Sequence, residues 1–404
     1  MRIRSVSLVD VARRATDPDQ LVEWDGDRIT AVGPDDGSPL RAGDVDGRGL
    51  FALPGLIDCH VHVTSLSADE WADSGHRASY VAAHAVRTLG ETVRRGFTTV
   101  RDAGGADAGL TRALDEGVVP GPRLFTCGKA LSQTGGHADL RPRGRELVDP
   151  HPDVPGIGRI VDGADAVRLA VREQVRRGAT FIKLMLSGGI TSPTDRLDGV
   201  QFSDAEITAA VEEAARLGVY CAGHAYAGAA VSRAVELGVR TIEHGNLIAP
   251  ADAALMAGAG TFLVPTLAAY ALLGERGQEF GLPADRTAKL AAVAGQGAEA
   301  VRVAAAAGVR IALGTDLLGP MAAEQNREFA LRAAVQSSWD VLESATLTGA
   351  ELLGQTGRLG VLAPGASADV LLCRADPGAD VTVLARPAET LALVVSRGEV
   401  VLSR

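Results

Sequence analysis

Apolar positions along this chain follow two different rhythms. At both ends, short alternating runs are separated by tight turns. Residues 3–9, 21–24 and 29–32 are such runs, with Asp25-Gly26 between the last two. The far end repeats the pattern at 370–373, 391–395 and 400–402, with Arg397-Gly398 before the last. These are predicted strands. Two β-rich segments at opposite ends of a chain can pair into one small unit. The expectation is a composite β-sandwich from residues 1–56 and 356–404, interrupted by a larger domain over 57–355.

In the middle, a helical stretch ends at glycine and an apolar strand follows at once. Arg95-Gly96, Arg177-Gly178, Leu217-Gly218, Leu237-Gly238 and Ala307-Gly308 all mark such junctions. Glycine just past a helix supplies the left-handed conformation that ends it. Ala164, Val167, Val171 and Val175 recur at helical spacing, and Ser203 with Glu206 forms a capping box for the next helix. Eight strands emerge, at 56–62, 98–102, 122–127, 181–187, 219–224, 241–245, 262–267 and 310–315. Strands alternating with helices over this length predict an α/β fold, a (β/α)8 TIM barrel. The long connection at 129–160 follows the third strand, and loops of that length tend to be functional.

Composition narrows the partners. The chain has 404 residues, 46% of them hydrophobic, which suits a globular protein with a large core. A net charge of −10 disfavours nucleic acid. Residues 253–274 carry no charge, yet Gly258, Gly260 and Pro265 break them into helix end, strand and loop, so no membrane span is expected. No apolar leader follows Met1-Arg2-Ile3-Arg4. Cys59, Cys127, Cys221 and Cys373 form no CxxC pair and read as reduced core residues of a cytoplasmic protein.

In such a barrel, chemistry sits at the C-terminal ends of the strands. His60 and His62 end strand one, Lys183 lies on strand four, His224 ends strand five, His244 ends strand six and Asp316 ends strand eight. Four of the chain's eight histidines fall in this set. His-x-His on a strand puts both rings on one face, because side chains alternate with period two. Imidazoles and a carboxylate suit zinc. Lys183 lies among Phe181, Ile182, Leu184 and Met185, and burial favours its neutral amine. That amine could form a Schiff base with a carbonyl substrate, or a carbamate with CO2 whose oxygens bridge two metals. The four histidines favour the carbamate. Asp316 is suited to ligate a metal and to act as general base and then general acid.

These residues, with Pro54-Gly55-Leu56-Ile57-Asp58-Cys59-His60-Val61-His62 and Gly314-Thr315-Asp316, resemble the amidohydrolase superfamily in content and order. The run from Leu359-Gly360 to Pro364-Gly365-Ala366-Ser367-Ala368-Asp369 resembles that family's return into its sandwich. The resemblance implies that His60, His62 and Asp316 bind one metal, His224 and His244 a second, and carboxylated Lys183 bridges both together with a hydroxide. Zinc is the usual metal of the group. Three further segments resemble the imidazolonepropionase-like branch, which includes Xaa-Pro dipeptidases and N-acyl-amino-acid carboxypeptidases. They are Ser132-Gln133-Thr134-Gly135-Gly136-His137, Ser187-Gly188-Gly189-Ile190-Thr191-Ser192-Pro193-Thr194-Asp195, and Gly223-His224-Ala225-Tyr226. By that resemblance His137 polarises the scissile carbonyl and Tyr226 holds the substrate carboxylate. One departure stands out: the run Ala323-Glu324-Gln325-Asn326-Arg327-Glu328-Phe329 lacks the His-Gly that the group often carries there.

The resulting expectation is a cytoplasmic, homo-oligomeric amidohydrolase with two divalent metal ions and a small-molecule substrate. The bond cut is an amide in a dipeptide or N-acyl amino acid. The alternatives are ring opening of a cyclic amide, hydrolysis of a xenobiotic amide, and a barrel retained as a scaffold.

Overall fold

The computed structural model describes residues 1–142, 144, 156–226 and 228–404. The centre of the 129–160 connection lies outside the described residues. In chain order the strands are β1 (Arg2–Asp10), β2 (Ala15–Asp25), β3 (Arg28–Pro34), β4 (Asp44–Asp46) and β5 (Phe51–Pro54). Next come β6 (Leu56–Val61), β7 (Phe97–Asp102), β8 (Arg123–Thr126), β9 (Ala130–Ser132) and β10 (Gly158–Ile160). β11 (Ile182–Met185), β12 (Cys221–Ala225), β13 (Thr241–His244), β14 (Phe262–Val264) and β15 (Arg310–Ile311) follow, and β16 (Val370–Cys373), β17 (Leu391–Ser396) and β18 (Glu399–Ser403) end the chain.

Both ends do meet, in a single sheet. Its order is β18-β17-β16-β5-β1-β2-β3, with β4 on β1. One apolar face gathers Ile3, Val6, Val22, Trp24 and Ile29 from the start of the chain with Val370, Leu372 and Val395 from its end. The sheet's ends approach each other: Ile29 N–H donates to Ala366 O, and Ala368 N–H to Asp27 O. The opposite face, including Leu53, Leu371 and Val394, packs against Leu56, Phe97 and Val100 of the central domain.

The central domain is an α/β structure built on parallel strands. Two arcs carry it: β6-β7-β8, and β10-β9-β11-β12-β13-β14-β15. Their middle strands are buried throughout, as expected for parallel strands covered by helices. The sequence predicts an unbroken ring; the paired ladders stop short of one at two seams, for local reasons. After β8 the chain turns into β9, which takes β11's edge at Leu131. β8 then reaches the strand-four segment through Thr180 N–H to Thr126 O, 2.7 Å. At the other seam, the strand expected over 310–315 is a ladder only at 310–311. Beyond it, Leu313 O accepts from Cys59 N, and the N–H groups of Thr315 and Asp316 both donate to His60 O. The chain thus leaves β14 and crosses to β6, which sets Asp316 beside His60.

The glycine rhythm holds. Gly96 and Gly178, at φ of +98° and +96°, sit where the left-handed region is needed to end a helix. The capping box at Ser203 and Glu206 is formed. The uncharged 253–274 stretch is a helix (Pro250–Ala259), then β14, then a second helix (Leu267–Arg276). No helix among the described residues is long and apolar enough to cross a membrane. All four cysteines are buried and unpaired.

Candidate active site

The six ligand-type residues singled out in the sequence converge on one cavity. His60, His62, Lys183, His224, His244 and Asp316 all line it, together with His137 and Tyr226. The space measures about 500 Å³ and opens to solvent. It lies at the C-terminal ends of the parallel strands.

His60, His62 and Asp316 offer ligand atoms within 4.8 Å of one another. Asp316 Oδ1 is 3.2 Å from His62 Nε2 and 3.4 Å from His60 Nε2, and its Oδ2 is 3.8 Å from His244 Nδ1. The His224 and His244 rings are 4.6 Å apart, centre to centre. Each histidine has one ring nitrogen hydrogen-bonded to a neighbouring group. His60 Nδ1 bonds Glu243 (2.7 Å), His62 Nδ1 bonds Gly104 O (2.9 Å), His244 Nδ1 bonds Thr266 Oγ1 (2.8 Å) and His224 Nε2 bonds Gly188 O (3.1 Å). Metal-binding histidines are held in this way, one nitrogen bonded and the other left for the ion.

Charge supports the same reading. His224 and His244 are held well below the usual imidazole range, chiefly by burial; neighbouring cationic groups add to it at His224, and at His244 burial prevails over the opposing Asp316, so both are neutral. His62 goes the other way. Burial lowers it, but Asp316 outweighs burial and pushes it up to about 9. A positive charge is favoured between His62 and Asp316, where a metal cation would replace the proton. Lys183 is 1% exposed and, among the described residues, its Nζ has no hydrogen-bond partner. Burial lowers its pKa against the pull of Glu243 and Asp316.

Two backbone irregularities help assemble the set. His244 and Asp316 both take left-handed backbone, at φ of +72° and +54°. Such residues cost of order 1 kcal/mol each and gather at functional sites. Alternation along β13 would send Glu243 and His244 to opposite faces. The turn at His244 lets Glu243 reach His60 while His244 lines the cavity.

Sequence reasoning missed the supports. Arg101 on β7 and Glu243 on β13 form a fully buried ion pair, with both Glu243 oxygens 2.7 Å from Arg101 Nη2. Burial raises the Glu243 carboxyl, yet Arg101 and Lys183 overcome it and keep the group ionised. Asp58 ties strand one to strand eight by accepting from Thr315 and Gln325. Asp102 accepts from Val63, Gly104 and Ala106 and so fixes the carbonyl that holds His62. Each belongs to an ordinary strand sequence, and only its inward direction reveals it. We expect Glu243→Gln to cost about 3–5 kcal/mol, because Arg101 is left as an unpaired buried charge. Metal affinity should fall about 10- to 100-fold as His60 loses its anchor. Chemical denaturation and metal titration check the two effects; stability within 1 kcal/mol of the wild type would refute the first.

His137 is no exposed loop histidine. It is buried, its ring lies 4.2 Å from that of His224, and its Nδ1 meets Ser192 Oγ at 3.0 Å. Lys289 pins the same loop through the carbonyls of Gly189 and Ser192 and the Asp195 carboxylate. Tyr226 accepts a hydrogen bond from Tyr270 at 3.1 Å, which leaves its own hydroxyl proton for a substrate oxygen.

This fold and this cavity define a hydrolase that acts on amide bonds. The family pattern of amidohydrolases matches residues 51–401. The chain belongs to the amidohydrolase family. It is 34% identical over 371 residues to ochratoxinase of Aspergillus niger, covering 86% of this chain and 75% of that protein. It is similar to a prolidase solved with N-methylphosphonate-L-proline, at 43% identity and a TM-score of 0.96, covering 100% of this chain and 99% of the other. A Xaa-Pro dipeptidase with bound methionine shares 29% identity, with a TM-score of 0.89 over 99% and 98% of the two chains.

Proposed function

We propose that this chain is a binuclear-metal amidohydrolase that cleaves a dipeptide or N-acyl amino acid, in the manner of a Xaa-Pro dipeptidase. The observation that carries this reading is the set of four histidines, each with one ring nitrogen anchored by a hydrogen bond, that line one cavity with Lys183 and Asp316. His60, His62 and Asp316 would hold one divalent ion and His224 and His244 a second, with zinc matching the donors. Lys183, carboxylated by CO2, would complete both sets. Bound ions of this kind supply Lewis acidity and bring the pKa of water towards 7.

The chain's own groups do the rest. Asp316 takes the proton of the attacking water and passes it to the leaving nitrogen. His137 faces the position of the scissile carbonyl oxygen and stabilises the charge that develops there. Tyr226 holds the substrate carboxylate. Ile190, Ala269, Leu273 and Leu318 give the cavity an apolar side for a proline ring or an acyl group. Residues 57–355 carry this machinery, and the segments 1–56 and 356–404 form the second domain. The four reduced cysteines support a cytoplasmic setting.

The similarity to a prolidase solved with a phosphonyl-proline favours dipeptides. The identity to ochratoxinase, named for ochratoxin, favours a xenobiotic amide as the second reading. A library of dipeptides and N-acyl amino acids should give free amino acids on incubation with purified protein. Activity should vanish on chelation and return with zinc. Turnover confined to cyclic amides, or full activity in chelator, would refute the proposal.

A further inference from the structure

One buried carboxylate in the cavity has no part in the chemistry above. Glu70 opens the short helix Glu70–Asp73, which follows strand one. Three acids lie close together there, and two have structural work. Asp69 caps the helix by accepting from Ala72 N. Asp73 accepts from the backbone of Leu66 and Ser67 and from the Ser67 hydroxyl. Glu70 has no comparable support. It is 7% exposed, and among the described residues its one hydrogen bond is from Thr191 Oγ1, at 3.5 Å. Among the described residues no lysine or arginine pairs with it. His62 is a cationic group it feels, but makes no hydrogen bond to it; a buried carboxylate without a bonded counter-charge is costly, so such a group is either protonated or open to a cation. Burial pushes its pKa up to about 7, consistent with a missing partner.

Its position says which cation would reach it. Glu70 lines the same cavity as Asp316 and Tyr226 and is the cavity's second carboxylate among the described lining residues. It feels the charges of His62 and Asp316, on one flank of the centre. Tyr226 lies beside the other two histidines, edge-on to His224 at 5.0 Å and tilted against His244 at 5.8 Å between ring centres. In a dipeptide the scissile carbonyl lies between the free amine and the carboxylate. With the carboxylate on Tyr226 and the carbonyl over the centre, the amine extends towards Glu70. Glu70 also borders a second, smaller pocket lined by Thr64, Ser65 and Val81, on the side towards which the first residue's side chain would point.

We propose that Glu70 binds the free α-ammonium of the substrate, making the preferred substrate an unblocked dipeptide instead of an N-acyl amino acid. This rests on the amidohydrolase reading given above and narrows its substrate class.

The test compares alanyl-proline with propionyl-proline, which lacks only the amino group. The wild type should favour alanyl-proline in kcat/KM by roughly thirty-fold or more, the loss typical of truncating one partner of a buried charge pair. In Glu70→Gln that preference should collapse towards one, mainly through KM. Glu70→Asp, which keeps the charge, should retain part of it. Equal wild-type turnover of the two substrates, or an unchanged ratio in Glu70→Gln, overturns the Glu70 assignment and leaves the amidohydrolase reading standing. Failure to cleave either substrate sinks the dipeptidase reading and this one with it. The wild-type comparison needs no variant to fold.

Discussion

Replacing Lys183 by alanine should reduce bound metal from about two ions to one or fewer per chain. kcat/KM should fall about a thousand-fold, since the Lewis acidity at stake is worth several kcal/mol and each 1.4 kcal/mol is tenfold in rate. Lys183 sits on β11, paired with Ala222 of β12, and lines the cavity with the four histidines. It is buried and, among the described residues, lacks a hydrogen-bond partner, and burial favours the neutral amine that a carbamate requires. Alanine removes that buried group, and Glu243 keeps Arg101 as its hydrogen-bonded counter-charge. The variant should therefore fold, and its circular dichroism spectrum should match the wild type. A small carboxylic acid added with zinc should restore part of the rate by standing in for the missing carbamate. A Schiff-base lysine gives the opposite pattern, with no rescue by carboxylate and trapping by borohydride with a carbonyl substrate. If Lys183→Ala keeps two metals and full turnover, the bridging role is wrong.

The contrast between Lys183 and Glu70 shows what could be read from sequence. Lys183 interrupts an apolar strand, and the flanking Ile182 and Leu184 announce its burial. His60, His62, His224, His244 and Asp316 each end such a strand, so the barrel pattern alone gathers them at one rim. Glu70 lies in a stretch of polar residues after strand one, where acids ordinarily face water. Nothing local distinguishes it from Asp69 or Asp73; only the closed tertiary packing buries it. Arg101 and Glu243 were hidden for another reason. They come from strands 142 residues apart, and no local pattern pairs them. The terminal sheet repeats the lesson. The first half of β2, through Thr16, Asp17 and Gln20, is held by backbone pairing to β1 without an apolar face to mark it. β9 has three residues, too short for periodicity, yet it decides how strand four meets its neighbours.

Asp316→Asn should lower kcat by about 100- to 10,000-fold, the usual worth of a positioned proton-transfer group, and leave the fold intact. The backbone reason is specific. Asp316 takes left-handed φ, and asparagine tolerates that region as well as aspartate does. Its N–H bond to His60 O, 2.8 Å, does not involve the side chain, so the crossing from strand eight to strand one survives. The loss is chemical. The carboxylate lies within 3.2–3.4 Å of His62 and His60, where it can accept a proton beside the histidine cluster. An amide in its place keeps the size and gives up the basicity. Metal content separates the two contributions of this residue. Two ions retained with the rate lost would assign the effect to proton transfer, and one ion lost would assign it to ligation. The thermal midpoint should stay close to the wild type in either case. A variant keeping a tenth of the wild-type rate would remove Asp316 from the mechanism, and the water's proton would then need another acceptor.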